Sequence, residues 1–211
     1  LAATGDRRTQ LDTPREFYNE GARLLKSGNF RGAEGWLLKA ASANVDALHP
    51  PALYNLGHVR FSQGRELLKG EQPRAQTMGS SLEAEERGHE SIRFPDAALR
   101  TDDLQTIIAA YLQGRAARKQ MRLAKEDIQR ALDLYGAVLT RWHRAVGDFR
   151  GAGELDRRNT DAEFNAEIVE RHIDELLEQV KAVEQMQQML QGTREGLKPR
   201  MSELRKRIPE S

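Results

Sequence analysis

The chain has 211 residues, enough for one large or two small domains with a substantial core. Charged residues make up 31% and aromatics 6%, a balance that favours helices with solvated faces over sheets. A formal charge of +1 supplies no global field toward nucleic acid or membrane, and the lack of cysteine excludes disulfide scaffolds, thiolate metal sites and cysteine nucleophiles.

No apolar run approaches the length of about 20 residues that a bilayer span needs, so no membrane span is expected. The chain starts at Leu1 rather than methionine, which fits either removal of a targeting segment or trimming. Residues 1–12 are polar and without period, and read as a flexible arm. Order begins at Thr13, which can N-cap a helix with Pro14 in its first turn and Glu16 closing a capping box. Phe17, Gly21, Leu24 and Leu25 share one face of this helix, which runs to about Lys26. Ser27 to Asn29 break it. A second helix follows with Phe30, Ala33, Leu37 and Ala40 on one face, and Pro50 and Pro51 open a third, with Leu53, Leu56, Gly57 and Phe61 as its apolar and small positions.

The first and third helices are copies. "FYNEGARLLKSG" (17–28) and "LYNLGHVRFSQG" (53–64) align without a gap, pairing Tyr18 with Tyr54, Asn19 with Asn55, Gly21 with Gly57 and Gly28 with Gly64, each 36 residues apart. A further copy begins at "AVGDFRGAGEL" (145–155), where Ala145, Phe149 and Ala152 repeat the steps of Ala33, Leu37 and Ala40. It continues in "DAEFNAEIVERHI" (161–173), where Asn165 follows an aromatic as Asn19 and Asn55 do, although Glu167 stands where the other copies have glycine. Between the copies the pattern lapses. The helix expected after Gly64 has no alanine near Lys69, and a stretch with Gly70, Pro73, Gly79 and clustered charge reads as an insertion, partly helical at best. Helix resumes after Thr101 to Asp103, with Leu104, Ile107, Ile108 and Tyr111 toward a core. A last helix from Asp161 to about Gln191 carries a stripe of Phe164, Ile168, His172, Leu176, Val180 and Val183, continued by Met186 and Leu190.

Over residues 14–64 and 126–178 the chain resembles the tetratricopeptide repeat, whose unit is a helix-turn-helix of about 34 residues. The resemblance implies an all-α, solenoid-like array of about three helical hairpins. The expected layout is an arm (1–12), repeats (13–69), an insertion (70–100), a helical region ending in the long helix (101–191) and a basic tail (192–211). It also implies a protein or peptide partner docked in a groove lined by Tyr18, Leu25, Tyr54, Asn55, His58 and Phe61, as in a scaffold or assembly factor. The carboxylate clamp of one repeat subclass is matched only by Asn55: Tyr18, Ala22 and Ser62 replace its other positions. "RRNTDAEFNAEIVERHI" (157–173) further resembles the end of repeat proteins from bacterial aerotolerance operons, which implies a periplasmic or envelope location, with the cytoplasm as the alternative.

Catalytic signals are absent. His49, His58, His89, His143 and His172 show no second ligand at metal-site spacing, and no phosphate-binding glycine loop or nucleophile elbow occurs. "GDFRGAG" (147–153) reads as small residues for helix packing. No enzyme, cofactor or metal is expected. Arg115, Arg118, Arg122 and Lys125 form a basic stripe without aromatic neighbours, which reads as a solvated face rather than a nucleic-acid site. The alternative to a scaffold is a homo-oligomeric structural protein of the cell envelope, associating through Val180, Val183, Met186 and Leu190, a strip of the long helix that lacks cover.

Overall fold

The computed structural model describes residues 13–43, 45–70 and 73–209, and among them the chain is all-α, with six helices and no strand. These are α1 (Pro14–Lys26), α2 (Phe30–Ala41), α3 (His49–Gly70), α4 (Pro73–Ala98), α5 (Leu104–Leu155) and α6 (Thr160–Arg207). The arm expected over residues 1–12 lies outside the described residues.

The starts of several helices follow directly from side-chain capping. The Thr13 hydroxyl accepts from Glu16 N while the Glu16 carboxylate accepts from Thr13 N at 3.0 Å, a reciprocal box that satisfies two end donors of α1. Gly28 turns the chain with a φ of +78°, and Asn29 then caps α2 by accepting from Gly32 N at 3.0 Å. The Asp103 carboxylate accepts from the N–H groups of Gln105 and Thr106 and so opens α5.

Two compact units divide the chain. The first holds α1, α2, α3, residues 136–155 of α5 and residues 160–176 of α6; the second holds α4 and the remaining parts of α5 and α6. In the first unit Ala33, Leu37, Leu56 and Val59 form a buried cluster, flanked by Tyr18, Leu24, Leu25, Phe30, Ala41 and Leu53.

In the second unit the expected loose insertion is a helix. Among the described side chains, the buried positions of α4 are Ser81, Ala84, Gly88, Ser91, Pro95 and Ala98, spaced three and four apart but nearly all small. They form a helix seam without an apolar period. A Cβ on Gly88 would collide with Met121 and Thr193, and one on Gly114 with Met201, so missing side chains bring these helices close. The α5 stripe here is Ile107, Ala110, Gly114, Ala117, Met121, Ala124, Ile128, Ala131 and Tyr135, a heptad seam with alanine at every seventh position. Leu104 and Ile108, expected to face the core, are exposed because the seam turns past them.

Three further boundaries differ from expectation. Helix α3 does not end at Gly64, because that glycine is a buried packing position whose Cβ would strike the Trp142 indole, not a turn. Helix α6 runs through the presumed tail to Arg207, since Leu197, Met201 and Leu204 extend its buried stripe. Its first turns bury Ala162, Ala166, Val169 and Ile173, while Phe164 points outward. The Val180–Leu190 strip, expected to lack cover, is largely covered, although Met189 remains exposed. Val183, Met186 and Leu190 are 2%, 7% and 4% exposed and Val180 is half-buried, covered within the second unit.

Candidate functional site

The first unit repeats one packing scheme. The Cβ that Gly21 lacks would lie 2.7 Å from Leu37 Cγ, and the one that Gly57 lacks would lie 2.7 Å from Phe149 Cε1. Residues 145–152 therefore serve α3 as Leu37 and its neighbours in α2 serve α1. The segment read as the start of a further copy completes the helix pair that α3 begins, and residues 71–135 stand between the two members.

A second contact recurs with it. Asn55 Nδ2 donates to Tyr18 Oη at 3.3 Å, linking α1 to α3 across 37 residues of sequence. Asn165 Nδ2 donates to Tyr54 Oη at 3.0 Å, linking α3 to α6 across 111. Each asparagine thus bonds the tyrosine on the first helix of the preceding repeat. Asn19, with no such predecessor, lines a cleft of about 520 Å³ with Thr13, Pro14, Arg15, Tyr18, Val45, Ala47 and Leu48.

These contacts change the status of the six groove residues. Leu25 packs on the buried cluster. Tyr18, Tyr54 and Asn55 are half-buried and engaged in the tyrosine–asparagine bonds. His58 lies edge-on to Tyr54 and Phe149, with ring centroids 4.7 and 5.0 Å away, and burial holds its pKa below the ordinary value. Tyr18 also lines the cleft around Asn19, and Phe61 keeps a face toward a second opening beside the repeat contacts. It lines a cleft of about 280 Å³ with Arg65, Leu68, Lys69, Trp142 and His172. The rings of Phe61, Trp142 and His172 stand 5.4 to 5.8 Å apart, and Trp142 Nε1 donates to the Phe61 carbonyl at 3.1 Å, which fixes the indole. The cleft can take one apolar side chain against the rings, with Arg65 and Lys69 at hand for an anion.

A buried ion pair braces these helices and carries no sequence signal. Arg60 Nη1 donates to both Asp148 carboxylate oxygens at 2.8 and 2.7 Å, while its Nε donates to Glu34 at 3.1 Å. Gln63 donates to the other Glu34 oxygen at 2.9 Å. Burial pushes the Asp148 pKa up to about 6 against the pull of Arg60. Burial also acts upward on Glu34, but the bonds from Gln63 and Arg60 outweigh it and leave that carboxyl below its ordinary value. Only the place of Asp148 beside Phe149, on the edge of an apolar stripe, could have marked it.

Two histidines do have carboxylates one turn away, unlike the sequence reading: His89 beside Glu85 at 3.5 Å and His172 beside Glu175 at 3.2 Å. Neither gathers more, and among the described residues no three His, Asp or Glu side chains converge as metal ligands would. No described helix is long and apolar enough to cross a membrane. Comparisons with protein-family models, curated proteins and solved structures return no match.

Proposed function

We propose that the chain is a tetratricopeptide-like binding protein, a scaffold or assembly factor whose interrupted array holds a segment of a protein partner. One observation carries this reading: the glycine contact and the tyrosine–asparagine bond both recur from one helix pair to the next. Repetition of inter-helix contacts is how solenoids build extended binding surfaces. Within the first unit the docking point is the Phe61–Trp142–His172 cleft. An apolar side chain of the partner lies on the rings, and its carboxylate meets Arg65 or Lys69. The resemblance to aerotolerance-operon proteins makes the cell envelope the first place to seek that partner. Self-association through the Val180–Leu190 strip finds no support, because that strip is largely buried.

A photo-crosslinking residue tests the docking point. Placed at Arg65 it should capture a discrete partner in the producing cell, and Phe61→Ala should abolish the adduct with helix content unchanged. Equal capture from Arg157, which is exposed elsewhere on the same unit, would remove the cleft from consideration.

A further inference from the structure

Between Leu104 and Lys125 the sequence has five cations and no carboxylate. In the second unit they meet more of the same sign. Arg118, Arg122 and Lys125 of α5 face Arg194 and Lys198 of α6 across a cleft of about 610 Å³, with Met121, Ile128 and Leu190 in its lining and Glu195 as its one carboxylate. Arg115 and Lys119 continue it along α5 in a shallower hollow shared with Arg118, Arg122 and Arg194. From Arg115 to Lys125 the basic run covers about 15 Å of helix axis.

Several cations elsewhere are paired with carboxylates. Arg23, Arg60, Arg130, Arg150 and Arg158 each have a carboxylate in contact, and Arg200, also on α6, is bound by Asp96. Of the seven cations at the cleft, only Arg122 has a carboxylate within ion-pair distance among the described residues, Glu126 at 3.9 Å. Like charges gathered along one cleft repel one another over a screening length of about 8 Å at physiological salt. Nothing in the packing asks for them, since all seven are exposed. Their segregation suits an anionic ligand.

We propose that this cleft is a second docking surface, taking an acidic peptide segment that also carries apolar side chains. The occupant follows from the lining. No aromatic ring is present for a base to stack on, which disfavours single-stranded nucleic acid. The cleft lies along the middle of two helices, whose backbone N–H groups are spent within the helix, so it lacks the free donors of a phosphate cradle. The cations are strung along a line rather than converging on one point, as successive carboxylates would require. Gln187 adds an amide group for a peptide backbone, while the Gln191 amide donates to Glu195 at 3.0 Å, and the apolar lining receives an occasional leucine. The proposal stands independently of the Phe61 cleft.

The test uses the full chain and a fluorescein-labelled peptide of Glu and Leu at helical spacing, read by anisotropy. The peptide should bind, weaken as salt rises, and lose about tenfold when its Glu residues become Gln. Arg118→Gln with Arg194→Gln should cost about tenfold in affinity while circular dichroism stays unchanged, and Arg157→Gln should cost nothing. Absence of binding, or equal loss in the Arg157 variant, would overturn the proposal. So would tighter binding of an oligonucleotide or of phosphatidylserine vesicles. A concentration-dependent dimer abolished by the same pair of substitutions would assign the cleft to a second copy instead.

Discussion

Gly57 illustrates how one missing carbon positions a helix. The Phe149 ring occupies the space its Cβ would need, so Gly57→Ala forces the ring or α3 to shift, at about 1–3 kcal/mol. Gly35 has open space around the same point, and Gly35→Ala should instead raise stability by up to about 1 kcal/mol through helix propensity alone. Thermal melts of the two variants, moving in opposite directions, check the distinction. Ser81 is fully buried and its hydroxyl has no partner among the described residues, so Ser81→Ala should be neutral or stabilising by about 1 kcal/mol in the same measurement. Asp148 governs a pH dependence. Its pKa is higher folded than unfolded, so the folded chain holds the proton more tightly. The stability it contributes is complete below about pH 4 and is lost as pH rises to about 6. At about 1.4 kcal/mol per unit, Asp148→Asn should remove a decline of about 3 kcal/mol across that window, seen as a changed slope of denaturation midpoint against pH. An unchanged slope would mean that Arg60 holds the carboxyl near its ordinary value.

At the scale of elements, legibility in the sequence depended on how each helix marks itself. Helices α1 and α2 were readable because Thr13, Glu16, Gly28 and Asn29 signal their ends chemically. Helix α4 was not, because its buried seam of Ser81, Ala84, Gly88, Ser91 and Ala98 contains no large apolar residue from which to read a period. The same bias toward size misplaced the start of the α6 stripe on Phe164 rather than on Ala162 and Ala166. It also ended α6 at Gly192, although Gly196 further on packs beside Ile92. Of the candidate site, Phe61 was legible as a groove position and His172 only as a member of the α6 stripe, while Trp142 and Asp148 needed the fold to bring them to α3. The helical state of α4 has its own test. Trypsin should spare the peptide bonds after Arg87 and Arg93, since cleavage needs an extended backbone. Rapid cutting at both would restore the loose insertion.

At the scale of the molecule, α3 and residues 136–155 of α5 act as one helix pair although all of α4 and the first part of α5 lie between them in sequence. Gly64 against Trp142 shows how near the pair's open ends come, only six residues from where each strand leaves the first unit. Long insertions cost little when their ends are already held together, because closure entropy grows only slowly with length. The most direct measurement therefore replaces residues 71–135 by a short glycine–serine linker, ends the chain at Leu176 and follows thermal unfolding by circular dichroism. If the repeat contacts hold the first unit together, the shortened chain remains helical and melts in a single cooperative transition, and Asn165→Ala lowers its midpoint as it does in the full chain. A non-cooperative melt, or a midpoint indifferent to Asn165, would show that the recurring contacts do not define the repeat array and would contradict the account.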